Sequence, residues 1–123
     1  MDAEKFKTVY GESRNGANSF TRHPLVRNFI MSDGVVDAAD CGIWWLIDIA
    51  ATETPALMRR TDESLLCFEA TVADNKAVLR ATGSGDAQLW TQKVPYTDMP
   101  DGKWMFYVGN DGTNYSMILP KEY

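Results

Sequence analysis

The chain has 123 residues, 45% of them apolar and 24% charged, with a formal net charge of −5. That length fits one domain (residues 1–123) with a core that needs no disulfide staples. The acidic balance argues against nucleic-acid binding, and no apolar run approaches the ~20 residues of a membrane span.

Charge is unevenly spread. Residues 1–31 carry a net +2, from Lys5, Lys7, Arg14, Arg22 and Arg27 against Asp2, Glu4 and Glu12. Residues 32–58 carry −5, from Asp33, Asp37, Asp40, Asp48 and Glu53 with no basic residue. The first residues, MDAEKFKTVYGES, are polar and lack the apolar stretch of a secretory signal. The expected setting is therefore cytoplasmic, with Cys41 and Cys67 as buried free thiols.

In chain order, residues 2–10 read as a short amphipathic helix with Ala3, Phe6, Val9 and Tyr10 on one side. Residues 11–19, GESRNGANS, read as a loop. Pro24 biases His23 toward extended backbone, and a short strand is expected near 28–31. Ser32 or Asp33 supplies a helix N-cap.

The helix that follows, about 35–52, is apolar on both sides. Val36, Ala39, Ile43, Leu46, Ile47 and Ala50 make one broad face, while Ala38, Cys41, Trp45 and Ile49 occupy the side where polar residues belong. Gly42 lies inside it, at a cost of about 1 kcal/mol against Ala. Thr54-Pro55 ends it, with a short helical turn over 55–60. Such a helix needs two covers: its own sheet, and then another part of this chain, a second copy, or a partner.

The second half reads as strands. Leu66, Phe68, Ala70 and Val72 alternate, and Asp74-Asn75 suits a two-residue turn whose residues both tolerate positive φ. That turn sets Val72 opposite Ala77, Ala70 opposite Leu79, Phe68 opposite Ala81 and Glu69 opposite Arg80. Further strands are expected over 87–96, 103–108 and 115–119, separated by short turns. The expected fold is α+β: one main helix on a four- to five-stranded antiparallel meander over about 65–119.

Chemistry-bearing residues are sparse. His23 is the one histidine, and no Ser, Cys or Asp stands at a spacing that predicts a triad. It reads as a surface or half-buried residue beside Arg22 and Arg27. Asp37 and Asp40 are helical neighbours, but Asp48 lies roughly 16 Å from Asp37 along a straight helix, too far for a shared metal. These three read as a solvated acidic flank. No nucleotide, zinc or calcium motif occurs, so neither a cofactor nor a metal is expected. Of Trp44 and Trp45, one is expected in the core; Trp45, with Cys41 and Ile49, forms an i, i+4, i+8 stripe suited to a helix-mediated interface.

Three segments carry a resemblance. FTRHPLVRNFIMSDGVVDAADCGIWWLIDIAA, VPYTDMP and ILPKEY resemble motifs of a family of small bacterial, phage and mobile-element proteins, the domain of unknown function 6876. The similarity covers nearly the whole chain. This chain departs from it at Met99 (Phe is usual), Lys121 (Ser is usual), Asp37 and Ala38 (Lys and Tyr are usual). The resemblance implies a single domain in a bacterial or mobile-element setting and brings no catalytic residues.

The expectation is a non-enzymatic binding or adaptor protein that works through a protein partner or as a homodimer, without direct nucleic-acid or membrane contact. One alternative is a mobile-element inhibitor of a host nucleic-acid or defence machine, acting through Asp37, Asp40 and Asp48. A second is a small hydrolase or transferase in which His23 works with a thiol or carboxylate within about 3 Å in a cleft.

Overall fold

The computed structural model describes residues 1–11 and 19–123, so most of the expected 11–19 loop lies outside the described residues. Two layers result. Helices α1 (Ala3–Gly11), α2 (Asp33–Ala38) and α3 (Trp44–Thr61) lie on one face of a seven-stranded sheet. The strands are β1 (Phe20–Arg22), β2 (Phe29–Ser32), β3 (Leu65–Ala73), β4 (Lys76–Thr82), β5 (Gln88–Val94), β6 (Gly102–Asn110) and β7 (Tyr115–Ile118), in spatial order β1-β2-β7-β6-β3-β4-β5.

The β3–β4 hairpin forms in the expected register, including Val72 opposite Ala77, Ala70 opposite Leu79, Phe68 opposite Ala81 and Glu69 opposite Arg80. Asp74 and Asn75 take φ of 55° and 60°, the paired left-handed conformation that two-residue hairpin turns require. The Glu69–Arg80 ion pair closes at 3.7 Å.

The meander expectation fails beyond β5. β6 returns to pair with β3, giving the order β6-β3-β4-β5 of a Greek key. Residues 95–101 cross the tip of the hairpin, where the Thr97 N–H donates to the Asn75 carbonyl at 2.8 Å. β3 offers β6 an eight-residue register from Leu65 opposite Gly109 to Val72 opposite Gly102. The outer edge of β5 carries Gln92, Lys93 and the following Pro95, which discourage pairing. β2 then adds parallel to β7, so the sheet is mixed rather than antiparallel.

The helix also departs from expectation. It breaks in a wide turn over Ala39–Ile43, where Gly42 takes φ 124°. The Cys41 carbonyl freed by the break accepts the Asp2 N–H at 3.0 Å, which seats the start of α1 there. Beyond the break, α3 runs through Pro55 to Thr61 instead of stopping. A mid-helix proline costs about 3 kcal/mol. Continuing the helix buries Leu57 and Met58, and full burial of such side chains returns about 1.5–3 kcal/mol each.

The core lies between the layers. Phe6 and Val9 of α1, Leu46, Ile47 and Ala50 of α3, and Phe29, Leu66, Phe68, Leu79, Phe106, Val108 and Met117 of the sheet are buried. Because Gly42 occupies a backbone region that penalises L side chains, and an added Cβ would meet the Met1 Cα at 3.3 Å, Gly42→Ala is expected to lose about 1–2 kcal/mol in urea unfolding.

Candidate functional site

The helix stripe proposed from sequence is not a surface unit. The break at Gly42 puts Cys41 in a different helical segment from Trp45 and Ile49. Cys41 is buried, and its thiol donates to the Asp37 carbonyl at 3.3 Å. Burial pushes that thiol's pKa up. Trp45 and Ile49 are half-buried. Trp45 borders a shallow depression of about 340 Å³ with Val94, Tyr96, Thr97 and Asp98. Trp44 is half-buried too, so neither tryptophan sits fully in the core; its Nε1–H donates to Asp40 at 3.0 Å.

His23 is buried rather than on the surface, and Asp48 is more than a solvated flank. The His23 Nε2 lies 2.8 Å from Asp48 Oδ1. Its Nδ1 accepts the N–H groups of Leu25 and Val26, both at 3.1 Å. An Nδ1 that accepts two backbone donors carries no proton, so in the neutral ring Nε2–H is the donor to Asp48. Both nitrogens are engaged within the chain, and neither is left to take a proton from a substrate. The pair fastens the 23–26 turn to α3.

Two other motif segments also meet. Ser32 caps α2 by accepting the Val35 N–H at 3.1 Å, and donates its own hydroxyl to the buried Glu122 carboxylate at 2.5 Å. The Leu119 N–H donates to the same oxygen at 2.8 Å. Gly34 makes this possible, since a Cβ there would lie 2.6 Å from Glu122 Oε2. Of the acidic set, Asp37, Asp40 and Asp48 are exposed, but Asp40 and Asp48 already serve Trp44 and His23.

The sheet's outer face is where unused surface collects. Register aligns Thr82, Cys67, Tyr107 and Ile118 in one row across β4, β3, β6 and β7. A second row holds Arg80, Glu69 and Met105, and a third Leu65, Gly109, Ser116 and Ile30. Tyr123 packs edge-on against Tyr107 at 5.3 Å and is 79% exposed. Gly109 leaves a dip in the third row. Depressions of about 250, 190 and 450 Å³ lie along these rows, each with Tyr107 in its wall.

Electrostatics grade along this face. Asp86 and Asp111 line it at the end where β3 begins. Backbone N–H groups of Asn114 and Thr113 hold the Asp111 carboxyl below the usual carboxylate range, so it stays ionised. Lys76, Lys93 and Lys103 stand at the opposite end, on outward register positions. Cys67, in the middle, has its thiol pKa raised by burial first and by Glu69 and Asp86 next. It is not an activated nucleophile.

Sequence reasoning missed this face, though a signal was present. Strands covered on one side should alternate apolar with polar, yet the residues between the core positions include Leu65, Cys67, Met105, Tyr107 and Ile118. Among the described residues, no group of His, Cys, Asp and Glu could hold a metal, and no helix is long and apolar enough to cross a membrane.

Residues 12–123 match the model of a family of unknown function, DUF6876, and the chain belongs to that family. No curated protein and no solved structure matches it.

His23→Ala removes a buried ring together with its contact to Asp48 and the acceptor for two part-buried N–H groups, and is expected to cost about 1–3 kcal/mol in denaturant unfolding. Nitrogen-detected NMR of the wild-type ring should place the neutral tautomer's proton on Nε2. Alkylation of Cys67 by iodoacetamide should be slower than that of glutathione at neutral pH. Because its thiol is raised, the rate should still climb past the ordinary thiol value of 9.0.

Proposed function

For this member of the family, we propose a non-catalytic binding role, exercised through protein–protein contact on the outer face of the sheet around Tyr107. The observation that carries this is the uncovered face itself. It holds Leu65, Met105, Tyr107 and Ile118 in aligned rows on the laddered sheet, and α1, α2 and α3 lie on the other side. Contiguous apolar surface rimmed by charge is what protein contacts use. The engagement of both His23 nitrogens supports a binding role over the hydrolase or transferase alternative.

The setting we propose, from the family resemblance, is the cytoplasm of a bacterium, or a phage or mobile element within it. Asp40 and Asp48 are drawn into contacts with Trp44 and His23, which favours the sheet face over the acidic helix flank as the working surface.

Gly109→Val tests the reading with little risk to folding. Its Cβ would stand 4.0 Å from Leu65 and from the Ser64 carbonyl, ordinary contact distances, and would fill the dip. Solution mass by light scattering and affinity capture from bacterial lysate are compared for wild type, Gly109→Val and Trp45→Glu. Association, with itself or with a captured protein, should be lost in Gly109→Val while the circular dichroism spectrum is unchanged. Association that survives Gly109→Val and disappears in Trp45→Glu would move the interface to the helix. A wild-type chain that neither self-associates nor captures anything overturns the reading.

A further inference from the structure

We infer that the partner seated on the outer face is a second copy of this chain, packed sheet to sheet across a two-fold axis that lies between the faces and perpendicular to the strands. The inference rests on the binding role proposed above and adds the identity of the partner.

Charge carries it first. On the outer face Asp86 and Asp111 stand where β3 begins, and Lys76, Lys93 and Lys103 stand where β3 ends and outnumber the neighbouring Asp74 and Asp101, with the Glu69–Arg80 pair and the apolar rows between. A two-fold axis across the strands lays each end over the opposite end of the other copy. It also keeps each strand column over itself. Along the β4–β5 column, Lys76 and Lys93 of one copy then face Asp86 of the other. Along the β6 column, Lys103 faces Asp111. Two separate columns thus satisfy the same operation, which is the self-complementarity that an isologous interface requires.

Size agrees. At about 3.3 Å of rise and 4.8 Å of spacing per residue, the 43 strand residues project about 700 Å². A standard interface buries about 800 Å² per partner.

The face also selects against an extended peptide. Its backbone groups are already bonded within the ladder, so a strand laid on it would find no partners for its own N–H and C=O groups. A second sheet brings its backbone already satisfied and packs about 10 Å away through side chains alone. The free edge at β5 is no better for a strand, because the Arg60 guanidinium already occupies the Leu89 carbonyl at 3.1 Å.

The test is sedimentation velocity on the full chain at low and high micromolar concentration, with Asp86→Lys, Lys93→Glu and the two combined. Wild type should reach twice the chain mass at the higher concentration, less so as salt is raised. Each single substitution places like charges together and should weaken dimerisation about tenfold, whereas the double variant should recover most of it. Dimerisation unaffected by the single substitutions, or not restored in the double, overturns the proposed packing. A wild type that stays monomeric overturns self-association. In that case, capture of another protein that is lost in Gly109→Val would leave the binding role standing, and absence of any capture would end both.

Discussion

Three helices lie against one face of a seven-stranded sheet, and among the described residues nothing comparable covers the other. That imbalance governs the rest of the molecule. The covered face can be purely apolar, and it is: Phe68, Leu79, Phe106, Val108 and Met117 are all buried. The uncovered face has to remain compatible with water, which Thr71, Thr82, Thr91 and Ser116 provide. Yet it keeps Leu65, Met105, Tyr107 and Ile118 in its centre. Solvation alone gives no reason for large apolar side chains there, and the packing proposed above would supply one.

His23, the one histidine, is a fastener between distant parts of the chain, and two other pairs do the same work. His23 with Asp48, Ser32 with Glu122, and Thr97 with Asn75 each join segments far apart in sequence. Each supplies partners to backbone groups that the fold would otherwise strand: the N–H groups of Leu25 and Val26, of Val35 and Leu119, and of Thr97. The segments that carried the family resemblance therefore read as conditions for this topology. β1, β2 and β7 depend on such links most, because they are short strands with little ladder of their own.

What was legible in the sequence was local. Asp74-Asn75 and the alternation on either side fixed a hairpin to the residue, because turn type determines register over a few positions. Ser32 as a cap and α1 with Phe6 and Val9 buried follow from equally short-range rules. The partner of β6 is a long-range choice between the edges of β3 and β5, and no local pattern encodes it. Gly42 and Pro55 show the limit from another side. Each has two outcomes in a helix, and tertiary burial chose between them: Gly42 became a break seated by Asp2, and Pro55 was carried through by Leu57 and Met58. The outer face was readable in principle, since Cys67, Met105 and Tyr107 interrupt the polar half of the alternation. The second side of the apolar helix has its own cover, since α1 and the 94–98 segment flank it.

The most direct check on the central claim is the exposure of the methionine methyl groups to a soluble paramagnetic agent, read by NMR on methyl-labelled protein. Met105 lies on the outer face, while Met31 and Met117 lie on the covered one and are fully buried. At dilution the Met105 methyl should relax strongly and the other two barely. As concentration rises, Met105 alone should become shielded. A Met105 methyl as protected as Met31 in the most dilute sample would mean that the chain covers this face itself, and the account would be wrong.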